Sequence, residues 1–225
     1  MEILIGGCLA FLATHLGVSG TPLRSVIKTR IGGKAYLLAY SLASFTSLGV
    51  MIFGYGQVIE VDVAWHTSTA LVMFSKALVL VAFIMVSIGV MTPNPTAVGF
   101  ETVLGKEIKG MLKITRHPLQ WGILMFAIAH LISNSDAPSL ILFGTLAVVS
   151  FVGMLSIDAR RRSETELRWQ FFMGQTSTIP FAAVLRGHQK LEFTDFHWIG
   201  TVVGIVLYSL IYFCHDWVSG GSSLI

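Results

Sequence analysis

Long apolar runs separated by short polar or glycine- and proline-rich breaks make up most of this chain. The runs lie at about Ile3–Val18, Ala35–Val58, Ala70–Met91, Ile114–Ser133, Pro138–Ile157 and Trp198–His215. Each is long enough to cross the hydrocarbon core of a bilayer as a helix. The breaks carry turn chemistry: Pro22 and Gly32-Gly33, Gly54-Tyr55-Gly56, Thr92-Pro93-Asn94-Pro95, and Asn134-Ser135-Asp136-Ala137-Pro138. The pattern predicts an all-α polytopic membrane protein, a single domain over residues 1–225 built as a bundle of about six transmembrane helices. Between the fifth and sixth runs, charge and bulk alternate over Glu164, Glu166, Arg168, Trp169, Phe171 and Phe172. That alternation predicts an interfacial helix on the inner face, with Glu164 and Arg168 spaced to pair. The segment Thr176–Phe181 reads as a membrane-dipping loop. Span two is rich in small residues (Ser41, Ala43, Ser44, Ser47, Gly49), and span six carries Gly200-x-x-x-Gly204. Both patterns allow close helix approach.

Composition agrees with this reading and excludes a soluble domain: 54 % of residues are hydrophobic, 12 % are charged, and mean hydropathy is +0.74. Charge then sets the orientation. Of the 15 lysines and arginines, all but Lys76 fall on one side of the spans, whereas Glu2, Glu60, Asp62, Asp136 and Asp216 fall on the other. The positive-inside rule places both termini outside. The opening Met-Glu-Ile-Leu has no basic n-region, so the first span is expected to stay as an anchor. Trp65 and His66 read as outer-interface anchors. The pI near 9.0 comes from inner-face loops and points to anionic lipid headgroups rather than nucleic acid. Cys8 and Cys214 suggest no disulfide framework, and without a C-x-x-C-H run any haem would be held noncovalently.

Chemistry concentrates where Lys113-Ile114-Thr115-Arg116-His117-Pro118 leads into span four. Proline presets φ for a first helical turn and has no N–H to satisfy there, so Arg116 and His117 stand before a helix N-terminus suited to an anion or polar cofactor. His130 lies deep in the same span, where an imidazole is costly unless it meets a ligand, a metal or water. In span one, Cys8 and His15 are two turns apart and nearly on one face, with Phe11 between them. Lys76 either snorkels outward or, with Arg24, neutralises a buried anion such as a haem propionate. His197 and His215 flank span six and read as structural. At about 1.5 Å per residue, His15 lies roughly 8 Å and His130 roughly 25 Å from the inner ends of their spans. His117 is at the depth of His15, which makes His15 with His117 the better-matched axial pair by depth.

The combination of Thr115-Arg116-His117-Pro118, Trp121-Gly122, Ala127-Ile128-Ala129-His130, the early His15 and Thr178-Ile179-Pro180-Phe181-Ala182-Ala183 resembles the NnrU family of bacterial inner-membrane proteins. That family shares its domain with the 15-cis-ζ-carotene isomerases of plants and cyanobacteria. The resemblance implies a noncovalent haem b ligated by His15 and His130, and cis-trans isomerisation or redox-type chemistry on an apolar, isoprenoid-like substrate. It also implies a context of denitrification and nitric oxide metabolism, with a nitric oxide reductase or another membrane redox partner. A non-enzymatic haem or assembly subunit is its other implication. The isomerase's cysteine three residues before the second ligand is Ala127 here. Over its second half the chain is also similar to membrane methyltransferases of the isoprenylcysteine carboxyl and phospholipid type. That similarity implies S-adenosylmethionine held by Arg116, His117 and Glu164 or Glu166, although the adjacent acidic pair of those enzymes is absent.

Overall fold

The computed structural model describes residues 1–58, 65, 67–97, 103–163 and 165–218, with backbone only for the last three. The readings attached to Glu60, Asp62, His66, Glu164 and the Asp216 side chain lie outside the described residues. The protein is all-α. Helix α1 (Glu2–Leu12) continues as a π-helical stretch, Ala13–Ser19, followed by α2 (Leu23–Ile31) and α3 (Gly33–Gly56). Then come α4 (Thr69–Met91), short α5 (Met111–Ile114), α6 (Pro118–Ser133), α7 (Ala137–Arg162), α8 (Leu167–Gln175), short α9 (Ala182–Leu185) and α10 (Trp198–Val218). Five helices among the described residues are long and apolar enough to cross a membrane: Glu2–Ser19, Gly33–Gly56, Thr69–Met91, Ala137–Arg162 and Trp198–His215. The sixth apolar helix, Pro118–Ser133, has 16 residues and spans about 24 Å. A multi-pass membrane protein of about six membrane helices is thus what the chain builds.

Three boundaries differ from the hydropathy pattern. Span four starts at Pro118 rather than Ile114, because Ile114 closes α5 and Thr115 is extended (φ −151°, ψ 144°). A residue ahead of proline is disfavoured in α geometry, so the turn of chain before Pro118 is released from the helix. Span five runs on to Arg162 and carries Asp158 into the helix, its last-turn arginines complementing the C-terminal dipole. The stretch between spans one and two holds α2 rather than only turns.

The chain forms two compact units. One comprises Met1–Ala77, Ala127–Gly153 and the chain from Cys214, and the other comprises Leu78–Phe126 and Met154–Phe213. In the first unit α1 and α3 meet through glycines. A Cβ on Gly7 would stand 2.7 Å from the Met51 backbone N, and one on Gly54 would stand 2.5 Å from that of Leu4. Tyr55 at the end of α3 then bonds Ser139 of α7 (2.9 Å).

In the second unit α4 packs against both α6 and α10. Gly122 faces Val86 and Ala82, while Gly200 and Gly204, the predicted contact pair, face Ile88 and Ile84. Without hydrophobic drive inside lipid, such backbone-to-backbone approach is the main source of helix association. His197 acts as expected, accepting the Gly200 N–H at the start of α10 (3.0 Å). Asp195 ties the segment before span four to that before span six. It accepts the Gly110 N–H (2.9 Å) and pairs with Lys113 (2.8 Å), both side chains being largely buried. Burial alone would raise the Asp195 pKa, but these donors and the Glu192 N–H hold it below the ordinary carboxylate value.

A Cβ on Gly204 would stand 2.6 Å from the Ile84 Cα, which only backbone movement can relieve. Gly204→Val is expected to destabilise the detergent-solubilised protein by roughly 1–3 kcal/mol, whereas Gly144→Ala, at a position with nothing within 4 Å of an added Cβ, leaves it unchanged. Thermal unfolding of the two variants side by side checks this.

Candidate functional site

Two groups of polar side chains sit among apolar helices, one in each unit. In the second unit, extended Thr115, then Arg116 in a bend, then His117, precede α6 because Pro118 starts that helix. Arg116 is 5 % exposed and His117 0 %. The negative charge they meet belongs to the chain itself: Asp158 of α7, 4 % exposed, lies 2.8 Å from His117 Nε2 through Oδ1 and 3.7 Å from Arg116 Nε. Its other oxygen, Oδ2, accepts the Thr178 hydroxyl. Arg116 Nη1 also reaches the Met173 carbonyl (3.4 Å) and sulfur (2.8 Å).

The backbone around this carboxylate is laced to the segment after α8. Arg116 N donates to Ser177 O (2.9 Å) and Phe181 N to Ile114 O (2.9 Å), while the Thr115 hydroxyl and the Trp121 indole both donate to Thr178 O (2.8 Å each). The Arg116 carbonyl takes Asn94 Nδ2 (2.7 Å) and the Thr96 hydroxyl (3.2 Å). Phe181, an exposed non-glycine residue at φ 64°, holds left-handed geometry that the surrounding bonds must sustain. Thr176–Phe181 is therefore a clamped loop, with exposed Ile179 and Phe181 as its apolar tips. Arg116 Nε and His117 Nδ1 are buried with no hydrogen-bond partner among the described residues.

In the first unit, His15 falls in the π-helical stretch. Its Nδ1 lies 3.0 Å from Phe11 O, and since a carbonyl only accepts, Nδ1 is the donor; in the neutral ring the lone pair then lies on Nε2. The ring packs on Phe11 (4.0 Å between centroids) and edge-on to Tyr40 (5.5 Å). Tyr40 stacks in turn on Tyr36 (6.1 Å), over which the Arg24 guanidinium lies at 5.9 Å. The structure thus brings two predicted site residues, His15 and Arg24, to one aromatic row. The wider π turn rotates His15 away from Cys8: the Cys8 thiol points to Ile141 of α7 (3.9 Å), whereas His15 faces α3, so the two do not share a face.

His130 of α6 is 8 % exposed and stacks on Phe143 of α7 at 4.3 Å. Its level relative to His15 follows from the helix contacts. Leu4 against Gly54 and Tyr55 against Ser139 mark one level of α1, α3 and α7. From that level, at about 1.5 Å per residue, Phe143 is about 6 Å and His15 about 16 Å along its helix. Two axial nitrogens on one iron are about 4 Å apart, twice a metal–imidazole bond of about 2 Å. As they stand, His15 and His130 therefore do not face each other across one iron. Among the described residues no cluster of three or more His, Cys, Asp or Glu stands ready for a bare metal ion. Lys76 is half-buried on α4. Arg168 pairs at the surface with Glu166 (3.7 Å).

Asp158 and Thr178 hold the second-unit site together, although along the chain Asp158 stands beside Arg160, Arg161 and Arg162 and reads only as one of several acids, with Glu164 and Glu166, near the inner face. The usable signal was a carboxylate one turn inside an apolar span, which lipid does not tolerate without partners.

The family described as NnrU protein matches residues 3–223. A chloroplastic 15-cis-zeta-carotene isomerase of Zea mays is 31 % identical over 96 residues, covering 39 % of this chain and 24 % of that protein. The chain spans about a quarter of the length of this curated relative. No solved structure matches it.

Removing one partner from a buried hydrogen-bonded pair that includes a carboxylate leaves the other without its bond, at a cost of about 3–5 kcal/mol. Asp158→Asn and His117→Ala are each expected to destabilise the protein by about that much, and the double variant by clearly less than their sum. Melting of the three variants in detergent, followed by tryptophan fluorescence, measures the coupling.

Proposed function

We propose a function for this chain from the premise that it belongs to the NnrU family: a haem b membrane protein that isomerises or otherwise transforms double bonds of an apolar, isoprenoid-like substrate. The observation that carries the reading is His15, whose Nδ1 is engaged by the Phe11 carbonyl in a π-helical turn of an apolar span, so that in the neutral ring Nε2 offers the lone pair. π-Helical turns concentrate at functional sites, and fixing one ring nitrogen on a carbonyl is how proteins orient an imidazole ligand. The 15-cis-zeta-carotene isomerase that the chain resembles supplies the reaction class.

In this reading His15 is the iron ligand, and Arg24, two rings away along Tyr36 and Tyr40, is the cation for a haem propionate. Haem so held would supply an iron whose oxidation state governs its interaction with a conjugated double bond. His130 serves the same iron only after a shift of about 10 Å along the helix axes, and otherwise lines the apolar interior beside Phe143. The alternative, methyl transfer from S-adenosylmethionine at Arg116 and His117, has less support. Both side chains are buried and engaged with Asp158, which leaves neither of them exposed to a cofactor carboxylate.

Protein purified in detergent and supplied with haem is expected to show a Soret band, with α and β bands on dithionite reduction. His15→Ala should lose most of the bound haem and His130→Ala should retain it. A colourless protein after supplementation sinks the reading, and loss of haem in His130→Ala alone would move the ligand there.

The orientation proposed is both termini outside the inner membrane, with the arginine-rich end of α7 facing the cytoplasm. Alkaline phosphatase joined to the C-terminus should be active. Activity confined to a fusion in the stretch between α5 and α6 would reverse the topology.

A further inference from the structure

The second unit has a groove that neither histidine site uses. Two adjoining cavities of about 210 Å³ and about 310 Å³ lie between the stretch leading into α5 and helix α8, sharing Gly105, Lys106, Ile108 and Phe172. The floor is apolar. Leu112 and Phe172 belong to a buried cluster with Leu104 and Trp169, and Ile108 packs against it. Three cations, Lys106, Lys109 and Arg168, stand among the lining residues.

Gly105 holds the wall close. At φ +90° its backbone has geometry that side-chain-bearing residues rarely adopt, and a Cβ there would stand 3.3 Å from the Arg168 Cδ. Thr92, the residue after α4, also lines the groove, and its buried hydroxyl has no hydrogen-bond partner among the described residues. The groove therefore opens where a membrane helix ends. On its α8 side, Leu167 and Phe171 are 78 % and 64 % exposed. Glu107 pairs with Lys109 (2.8 Å) and Glu166 with Arg168 (3.7 Å), but these are exposed surface pairs that a better anion can displace.

We propose that this groove binds an anionic phospholipid, with its phosphate at Lys106, Lys109, Arg168 and the Thr92 hydroxyl, and the upper part of its chains on Ile108, Phe171 and Phe172. A soluble anion would leave the apolar floor and the exposed Leu167 and Phe171 in water, at a cost that grows with apolar area. A zwitterionic headgroup would bring its own cation to a cationic rim. A lipid carrying net negative charge satisfies both halves of the groove, and its surroundings at the end of α4 supply it.

Native mass spectrometry of the delipidated full chain, titrated with phosphatidylglycerol, phosphatidylcholine or inorganic phosphate, tests this. One phosphatidylglycerol per chain is expected to be retained about tenfold more tightly than phosphatidylcholine. That preference should disappear in Lys106→Gln/Lys109→Gln/Arg168→Gln and persist in Arg186→Gln/Lys190→Gln. Should the triple variant fail to fold, the exposed single variant Lys106→Gln must still weaken retention several-fold. Equal retention of the two lipids, or undiminished phosphatidylglycerol binding by the Lys106 variants, overturns the proposal. So does a rise in melting temperature with inorganic phosphate that matches the rise with phosphatidylglycerol, because a soluble anion would then suffice.

Discussion

A buried carboxylate governs how the second unit closes. Asp158 sits inside a helix otherwise built for lipid, and its charge is sustained there by His117, Arg116 and Thr178. Alone in hydrocarbon it would be protonated or the helix would not insert; with a guanidinium, an imidazole and a hydroxyl around it, it becomes the point on which α7, the chain before α6 and the Thr178 loop converge. The bonds from the Thr115 hydroxyl, the Arg116 N–H and the Trp121 indole to that loop, and from the loop's Phe181 N–H to Ile114 O, are made possible by the same convergence. The left-handed Phe181 is the local cost of running the chain tightly around it.

The first unit solves a different problem with different means. Its helices adhere through glycine contacts, and its imidazoles pack against aromatic rings. His15 bonds the carbonyl one turn earlier and packs on Phe11 and Tyr40. The π turn widens the helix enough to swing the ring toward α3. His130 stacks on Phe143. The two sites therefore have opposite characters, one closed on its own charges and one made of imidazoles packed on aromatic rings. That contrast is why cofactor chemistry is proposed at His15 and a structural role for His117 and Asp158.

Much of the architecture was legible in the sequence because a bilayer makes hydropathy decisive: a backbone in lipid must be helical, so each apolar run becomes a span. The proline at Pro118, the glycines Gly200 and Gly204 and the amphipathic stretch that became α8 were readable for similarly local reasons. The histidines stood out as costly residues in apolar runs. Asp158 was less visible, because three arginines beside it made it look like part of a solvated charge run, and nothing local says that Thr178, twenty residues on, returns to it.

The sequence by itself determined the all-α membrane class, the approximate spans, the family and the residues whose chemistry lipid would not tolerate unpartnered. Only the tertiary structure decided the partners. It spent Arg116 and His117 on Asp158, turned His15 toward Tyr40 rather than along the Cys8 face, and set His15 and His130 at different levels. Hydropathy and spacing act along one helix at a time, whereas pairing, helix rotation and depth are settled by which neighbouring helix can come close, and glycine contacts far from these residues fix that.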